Sequence, residues 1–272
     1  MLATSRFEIA KEAGLEIGLT LGELYDNHIG FIDETRRKVE LFSIKGTPFI
    51  NINSQIGIQT SRLKHLSYEL FEAHGLAFPE NMAIIHSGDI EETFNQIKEA
   101  TKFAKKIGYP LIIKPTDASK NQGVKLVECE NQLVPEILDS LQDYSILNIQ
   151  KFISGDEFRV IVLGNEVVFA YQRILRGLLR FSENNPSDYE TKEINLPDRQ
   201  KDFCIKATKA LGLNYCGLDL RGDLNSDLYI LEGNSYPILD SVEKLRGPDG
   251  IREIYRKMFN FILELQNSES IK

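Results

Sequence analysis

Cysteine is scarce in this 272-residue chain: Cys129, Cys204 and Cys216 lie far apart, with no CxxC pair and no zinc-ligand spacing. A disulfide framework and a cysteine-based zinc site are therefore excluded. None of the three sits in a nucleophile context, and reduced, mostly buried thiols are expected. Histidine is equally thin. His28, His65, His74 and His86 are scattered and suggest no catalytic constellation. Positive charge is in deficit, with 32 Lys and Arg against 40 Asp and Glu and a net charge of −8. That balance argues against a nucleic-acid partner, since a phosphate backbone needs a basic face, but it leaves room for a small polyanion in a local basic pocket. Long apolar runs are also missing. The longest, from about Val160 to Tyr171, is interrupted by Gly164, Asn165 and Glu166 and is too short and polar to span a bilayer. The opening MLATSRFEIAKEAG breaks its apolar residues with charges and does not read as a signal peptide. A cytoplasmic protein with no membrane partner is the expectation. No GxxxxGK[ST] or GxGxxG loop, internal repeat or low-complexity segment is present.

What is there alternates between two periods. Residues 4–14 read as an amphipathic helix, and 16–60 as short β-like runs separated by turns, among them HIGFID, KVELFSI and PFININ. Residues 62–74 place Leu63, Leu66, Leu70 and Phe71 at helical spacing before Gly75. A strand (MAIIHS), a helix over 90–107, the apolar strand PLIIKP, the strand VKLVE and a helix over 131–142 follow. Then come NIQKFI and FRVIVLGNEVVFAYQR, a polar loop over 176–197, a helix over 198–211, a hairpin and a last helix over 249–265. The mixture predicts an α+β fold.

The hairpin, CGLDLRGDLNSDLYILEGN, carries the densest chemistry. With its turn centred between Asn225 and Ser226, Asp219 opposes Glu232, and Asn234 lies two residues further on the same face. Opposed carboxylates repel, and a cation between them removes that cost. Two carboxylates and an amide oxygen suit Mg²⁺. By pattern alone the same residues also fit a solvated hairpin face. Lys114 ends a strongly apolar strand, where an ammonium needs an anion or an exit to solvent. The polar loop after it, with Gly123, can fold over phosphates. Glu157 and Arg159 share a strand face at period two, which also fits a salt bridge across that face.

In order along the chain, HLSYELFEAHGLAFPEN, IIKPTDASKNQGV, FISGDEFRVIV, GLDL and YILEGNSYP resemble the ATP-grasp superfamily of carboxylate–amine ligases over roughly residues 62–240. The similarity is to the ATP-grasp part of cyanophycin synthetase and bifunctional glutathione synthetase, and to D-alanine–D-alanine ligase through IQKFISGDEF and the Asp219 to Glu232 to Asn234 spacing. The resemblance implies an ATP-grasp fold: a short N-terminal lobe at 1–61, a subdomain with the phosphate loop at 62–147, and a subdomain with the metal site at 148–272. It also implies roles. Lys64 and Lys114 would contact ATP phosphates, and residues 117–124, with Ser119 and Gly123, would close over them. Gln150, Lys151 and Ile153 would line the adenine pocket, and Glu157 would take the ribose hydroxyls. Asp219, Glu232 and Asn234 would hold one or two Mg²⁺ ions, with Mn²⁺ as a substitute. Arg173 would meet the γ-phosphate or an acyl-phosphate. Arg176, Ser235 and Tyr236 would bind substrate, with Arg180 and Arg246 nearby. Departures from the family pattern are the single glycine in DASKNQGV, Gln150 for the hinge glutamate, Leu63 before the first lysine, and Ile238 after the Asn–x–x–Pro motif.

The implied activity joins a carboxylate and an amine, on an amino acid or short peptide, at the expense of ATP and through an acyl-phosphate. Two other readings stay open: an ATP-binding regulatory protein with reduced catalysis, and an ATP-grasp small-molecule kinase. Many members of the superfamily dimerise, and a homodimer is left open here.

Overall fold

The structure is a computed structural model that describes residues 5–25, 28–34, 37–44, 47–116, 122–175 and 189–269. Three antiparallel sheets organise it. The first is the meander β1 (Thr20–Tyr25), β2 (His28–Ile32), β3 (Lys38–Ile44) and β4 (Thr47–Ile50). Its alternation turns Ile29, Phe31, Val39 and Leu41 inward. They pack beneath α1 (Arg6–Glu16) and α7 (Asp240–Glu269). The N-terminus of α1 is capped by Ser5, whose hydroxyl accepts from Glu8 N at 3.2 Å. The helix expected over 249–265 is the second of two helical segments in α7. Asp240–Glu269 holds a kink at Gly247 (φ 65°), next to Pro248, and the apolar periodicity is clean only beyond that break.

The small sheet has the order β5–β8–β6–β7, built from β5 (Asn81–Ile85), β6 (Leu111–Pro115), β7 (Lys125–Val127) and β8 (Ile146–Lys151). Helices α4 (Ile90–Ile107) and α5 (Glu130–Asp143) cover one face, sealing Ile84, Ile97, Leu111, Ile113, Leu133, Ile137 and Ile149. In α4 local chemistry and packing agree: Asp89 caps the first N–H groups, Glu91 and Glu92 sit at the positive end of the dipole, and Lys105 and Lys106 at the negative end. The uncovered face carries Lys114, Asn148 and Gln150. Lys114 pairs with Asn148 in register, and Gln150 follows at period two.

The large sheet has the order β11–β10–β9–β12–β13: β9 (Asp156–Leu163), β10 (Glu166–Leu175), β11 (Tyr189–Glu193), β12 (Tyr215–Gly222) and β13 (Leu228–Asn234). One face, with Phe158, Val160, Leu218, Leu220 and Ile230, packs with α6 (Asp198–Ala210) and with Tyr68 and Phe71 of α3 (Lys64–Ala73). The other face is divided. Ile161, Leu163, Phe169 and Tyr171 join the core of the N-terminal meander. Continuing the same alternation, Glu157, Arg159, Arg173, Asp219 and Arg221 form a charged half-face.

Two expectations shift. The helix expected over 62–74 is α3, and ahead of it the β-like stretch expected up to residue 60 ends instead in a helix, α2 (Gln55–Arg62), separated from α3 at Leu63, whose backbone is extended (φ −96°, ψ 96°). Residues 55–60 looked β-like because of Ile56 and Ile58. The Ser54 hydroxyl caps Gly57 N at 3.0 Å, and Gly57 lies so close to Gly212 that an added Cβ would sit 2.4 Å from its carbonyl oxygen. Capping and tertiary packing override β propensity here. The division expected between 147 and 148 falls inside β8, all of which pairs within the small sheet. The chain leaves that sheet after Lys151, while α3 packs with the large sheet.

Candidate active site

The site begins with an irregularity in the hairpin. Near the turn the register runs Gly222↔Leu228, Arg221↔Tyr229 and Leu220↔Ile230, which centres the turn on Asn225; the next pair is Asp219↔Glu232. Leu231 is therefore the extra residue of a β-bulge. The expected pairing of Asp219 with Glu232 is present, but the bulge produces it and not a turn centred between Asn225 and Ser226. The Leu231 carbonyl accepts from Tyr68 Oη at 2.8 Å and from Lys114 Nζ at 3.3 Å.

Arg159 lies opposite Asp219 on the neighbouring strand, and Glu157 lies opposite both Arg173 and Arg221. Arg159 Nε is 2.9 Å from Asp219 Oδ1, and Arg173 Nη1 is 3.2 Å from the same atom. Arg173 Nη1 also donates to Glu157 Oε1 at 2.8 Å. Burial alone would lower the pKa of the Arg173 guanidinium. The charges of Asp219, Tyr171 and Glu157 outweigh that and hold it above its ordinary value. Turned about its last torsion, the Asn234 amide accepts from Arg159 Nη1 at 2.8 Å and donates to Glu232 Oε1 at 3.3 Å; otherwise it donates to Asp219 Oδ2 at 3.4 Å. The turned form satisfies both of its ends and is the better assignment.

The two lysines enter from different elements, Lys114 from the small sheet and Lys64 from α3. Lys64, at the start of α3, donates to Thr116 O at 3.2 Å and stands 3.8 Å from Glu232 Oε2. Lys114 is 8% exposed and donates to Tyr68 Oη at 2.9 Å. Burial pulls its pKa down to about 8, against the pull of Glu232 and Asp219 upward. Gln150 is 4% exposed, and its amide oxygen lies 3.0 Å from Tyr68 Oη and 3.3 Å from Asn148 Nδ2. In the cleft between the small and large sheets, Lys114 and Gln150 thus form one polar cluster around Tyr68 and the Leu231 carbonyl, and Lys64, Glu232, Asn234, Asp219, Arg173 and Glu157 form a second that begins at the very next residue.

Other expected positions lie apart from both clusters. Lys151 is half exposed, with Nζ 3.7 Å from Glu80. Ile153 is partly buried in the segment between β8 and β9. The ring of Tyr236 meets Phe49 edge-on at 5.3 Å. Ser235 offers its carbonyl to Asn53 Nδ2 at 2.8 Å. Gly123 takes φ 68°, and a Cβ there would meet Pro115 and Tyr144 at 2.8 Å, so only glycine fits where the loop rejoins β7. Ser119 and Arg176 lie outside the described residues, as do Arg180 and most of the expected phosphate loop.

The pattern of residues did not single out Tyr68, Asn148 or Asn53, and Arg159 was noted only as a neighbour of Glu157. For Arg159 the period-two spacing to Glu157 was a usable signal. Tyr68 stands four residues after Lys64, on the same side of a helix, and that spacing also pointed inward. Among the described residues no group of three or more His, Cys, Asp or Glu side chains gathers to hold an ion. The candidate set is two carboxylates and an amide, and Asp219 Oδ1 is buried and ion-paired yet has no hydrogen bond of good geometry. A hard-oxygen set with an unspent lone pair fits Mg²⁺.

Residues 45–258 match the RimK-like ATP-grasp domain. The chain belongs to that family. It is 31% identical over 214 residues to a probable alpha-L-glutamate ligase of Coxiella burnetii, covering 78% of this chain and 67% of that protein. Among solved structures, D-alanine–D-alanine ligase from Bacillus anthracis, complexed with ATP, superposes with a TM-score of 0.60 at 19% identity, over 81% of this chain and 71% of that one. The ATP-grasp ligase PsnB, in a complex with minimal precursor, Mg and ADP, gives 0.57 at 20% identity, over 76% of this chain and 61% of that one. The expected ATP-grasp fold, and the reading as a ligase of that superfamily, are borne out. No described helix is long and apolar enough to cross a membrane.

Proposed function

We propose that this protein is an ATP- and Mg²⁺-dependent carboxylate–amine ligase that forms an amide bond on an amino acid or short peptide through an acyl-phosphate. One observation carries the reading. Lys114 of the small sheet and Lys64 of α3 converge on the strand of the large sheet that carries Glu232, Lys114 on the Leu231 carbonyl and Lys64 on the Glu232 carboxylate.

Lys64 and Lys114 bind the phosphates of ATP, the backbone of Gln150 to Ile153 borders the adenine, and Glu157 accepts from the ribose hydroxyls. Asp219, Glu232 and Asn234 hold the metal, which when bound neutralises phosphate charge and polarises the transferred group. A carboxylate and a polyphosphate repel, so transfer needs positive charge fixed where negative charge develops. Arg173 supplies it beside Asp219, and Arg159 keeps Asp219 aimed by pairing along its edge. Two positive charges already face Asp219 before nucleotide arrives, so the site is arranged in advance. No protein nucleophile is required. Cys204 and Cys216 are buried in the core, which pushes both thiols up, Cys216 to about 12.

The relatives named as probable alpha-L-glutamate ligases make glutamate the first amine to test. Phosphate release and mass-spectrometric detection of amide product, with pooled amino acids and dipeptides, test the reading. Phosphate should appear only with both acceptor classes present, and Glu232→Ala should abolish it. Amide synthesis at full rate in Glu232→Ala sinks the metal assignment. Tight ATP binding with no turnover favours a regulatory ATP-binding protein, and a stable phosphorylated product with no amine favours a kinase.

A further inference from the structure

The Tyr68 hydroxyl touches both walls of the cleft and Lys114 together. It accepts from Lys114 Nζ at 2.9 Å and lies 2.8 Å from Leu231 O and 3.0 Å from Gln150 Oε1. Lys114 and Gln150 belong to the small sheet, and Leu231 is the bulge residue of the large one. A phenol has a single proton, so it can donate to Leu231 O or to Gln150 Oε1, but not to both at once. The shorter contact is to the bulge carbonyl. The Gln150 oxygen retains Asn148 Nδ2 as a donor. The ring is held independently of the hydroxyl: it stacks on Phe78 (centroids 5.3 Å apart, planes 15° apart) and tilts against Phe71 at 6.3 Å. Lys114 Nζ also sits 5.4 Å from the ring centroid. Tyr68 is thus a rigid post whose only polar atom is spent on Lys114 and on the strand that carries Glu232.

We infer that Tyr68 is a positioning residue for ATP, acting through Lys114: its hydroxyl fixes the ammonium against the metal strand before nucleotide binds, and ties the two walls at the spacing the phosphates need. This rests on the proposed role of Lys114 at the phosphates. Tyr68 has no contact with the reacting atoms in this scheme, so its removal acts on nucleotide affinity.

The test is calorimetric titration of MgATP into the full chain and into Tyr68→Phe, Lys114→Ala and the double variant, each with a thermal melt. Phe keeps the stacked ring and removes only the hydroxyl. Tyr68→Phe should weaken MgATP binding about tenfold, the loss of one charge-assisted hydrogen bond that prepays ordering of the lysine. It should weaken binding no further once Lys114 is alanine, because the hydroxyl acts through that lysine. An equal loss in both backgrounds assigns Tyr68 a general structural role and overturns the inference. Tyr68→Phe within twofold of the parent, while Lys114→Ala binds weakly, overturns it and leaves the nucleotide reading standing. Unchanged affinity in Lys114→Ala removes both. A melting point for Tyr68→Phe close to the parent is expected in every supporting case.

Discussion

Replacing Asn53 with alanine should cost the protein far more than an isolated amide suggests. Asn53 is 4% exposed, just after the N-terminal meander, and all of its side-chain hydrogen-bonding capacity goes to distant backbone. Its Nδ2 donates to Tyr215 O and Ser235 O, both at 2.8 Å. Its Oδ1 accepts from Asn214 N at 2.9 Å and Tyr215 N at 2.8 Å. Alanine removes four bonds and leaves buried backbone groups beside a small cavity. At about 1 kcal/mol per bond the loss is ~3–5 kcal/mol. For a chain of this size each kcal/mol lowers the melting point by roughly 2–4 °C, so a fall of about 10 °C is expected. Asn53→Asp separates the two halves of the contact. It keeps both acceptor bonds but faces a carboxylate to two carbonyls, and should be no more stable than alanine. Because Ser235 adjoins Asn234, MgATP affinity measured well below the melting point should fall as well. Thermal and urea unfolding of both variants check this. A fall of less than about 2 °C for Asn53→Ala would refute the idea that this one side chain joins the N-terminal meander to the metal strand.

Two further outcomes follow from the geometry. Lys114 is held down to about 8 by burial, against 10.5 in an unfolded chain. Between those values the unfolded chain holds more protons, so the contribution of this group to stability rises from about pH 8 to 10.5 and is lost as pH falls through 8. MgATP affinity runs the other way, weakening by up to about tenfold per unit as pH rises through 8 and the ammonium is lost, and Lys114→Ala should flatten that titration. Gly155 takes φ 110° between β8 and β9, where a Cβ would lie 2.6 Å from Gly222 O. Gly155→Ala should destabilise the protein by ~2–3 kcal/mol through strain and backbone displacement, and a melt within error of the parent contradicts that close approach.

Much of the site was legible because its residues sit at fixed parity on strands. Lys114 ends an apolar run, Glu157 and Arg173 fall on alternating positions, and Asp219, Glu232 and Asn234 occupy one hairpin. The strand and helix order was legible where local chemistry and packing agree, as in α4. Long-range contact decided the rest. Residues 55–62 look like a strand until Ser54 caps them and Gly57 meets Gly212, which lies 155 residues away along the chain. Asn53 reads as an ordinary turn residue until its partners, more than 150 residues on, are known. The α3 residue Tyr68 reads as core, and its ring is core; only its hydroxyl belongs to the site.

The bulge at Leu231 has a consequence for how the chain tolerates insertion and deletion. A regular hairpin continued from Leu220↔Ile230 would set Glu232 opposite Leu218, on the side that packs with α6. Every residue beyond position 231 owes its side of the sheet to the bulge, which takes up that one extra unit of chain without a change of phase. Deleting Leu231 would abolish the bulge yet still bring Glu232 opposite Asp219, as the first residue after Ile230, so its successors would keep their sides. The bulge acts as a parity bit, so a deletion at 231 leaves the proposed metal ligands facing outward, while an insertion beside it that the ladder takes up regularly turns them inward together.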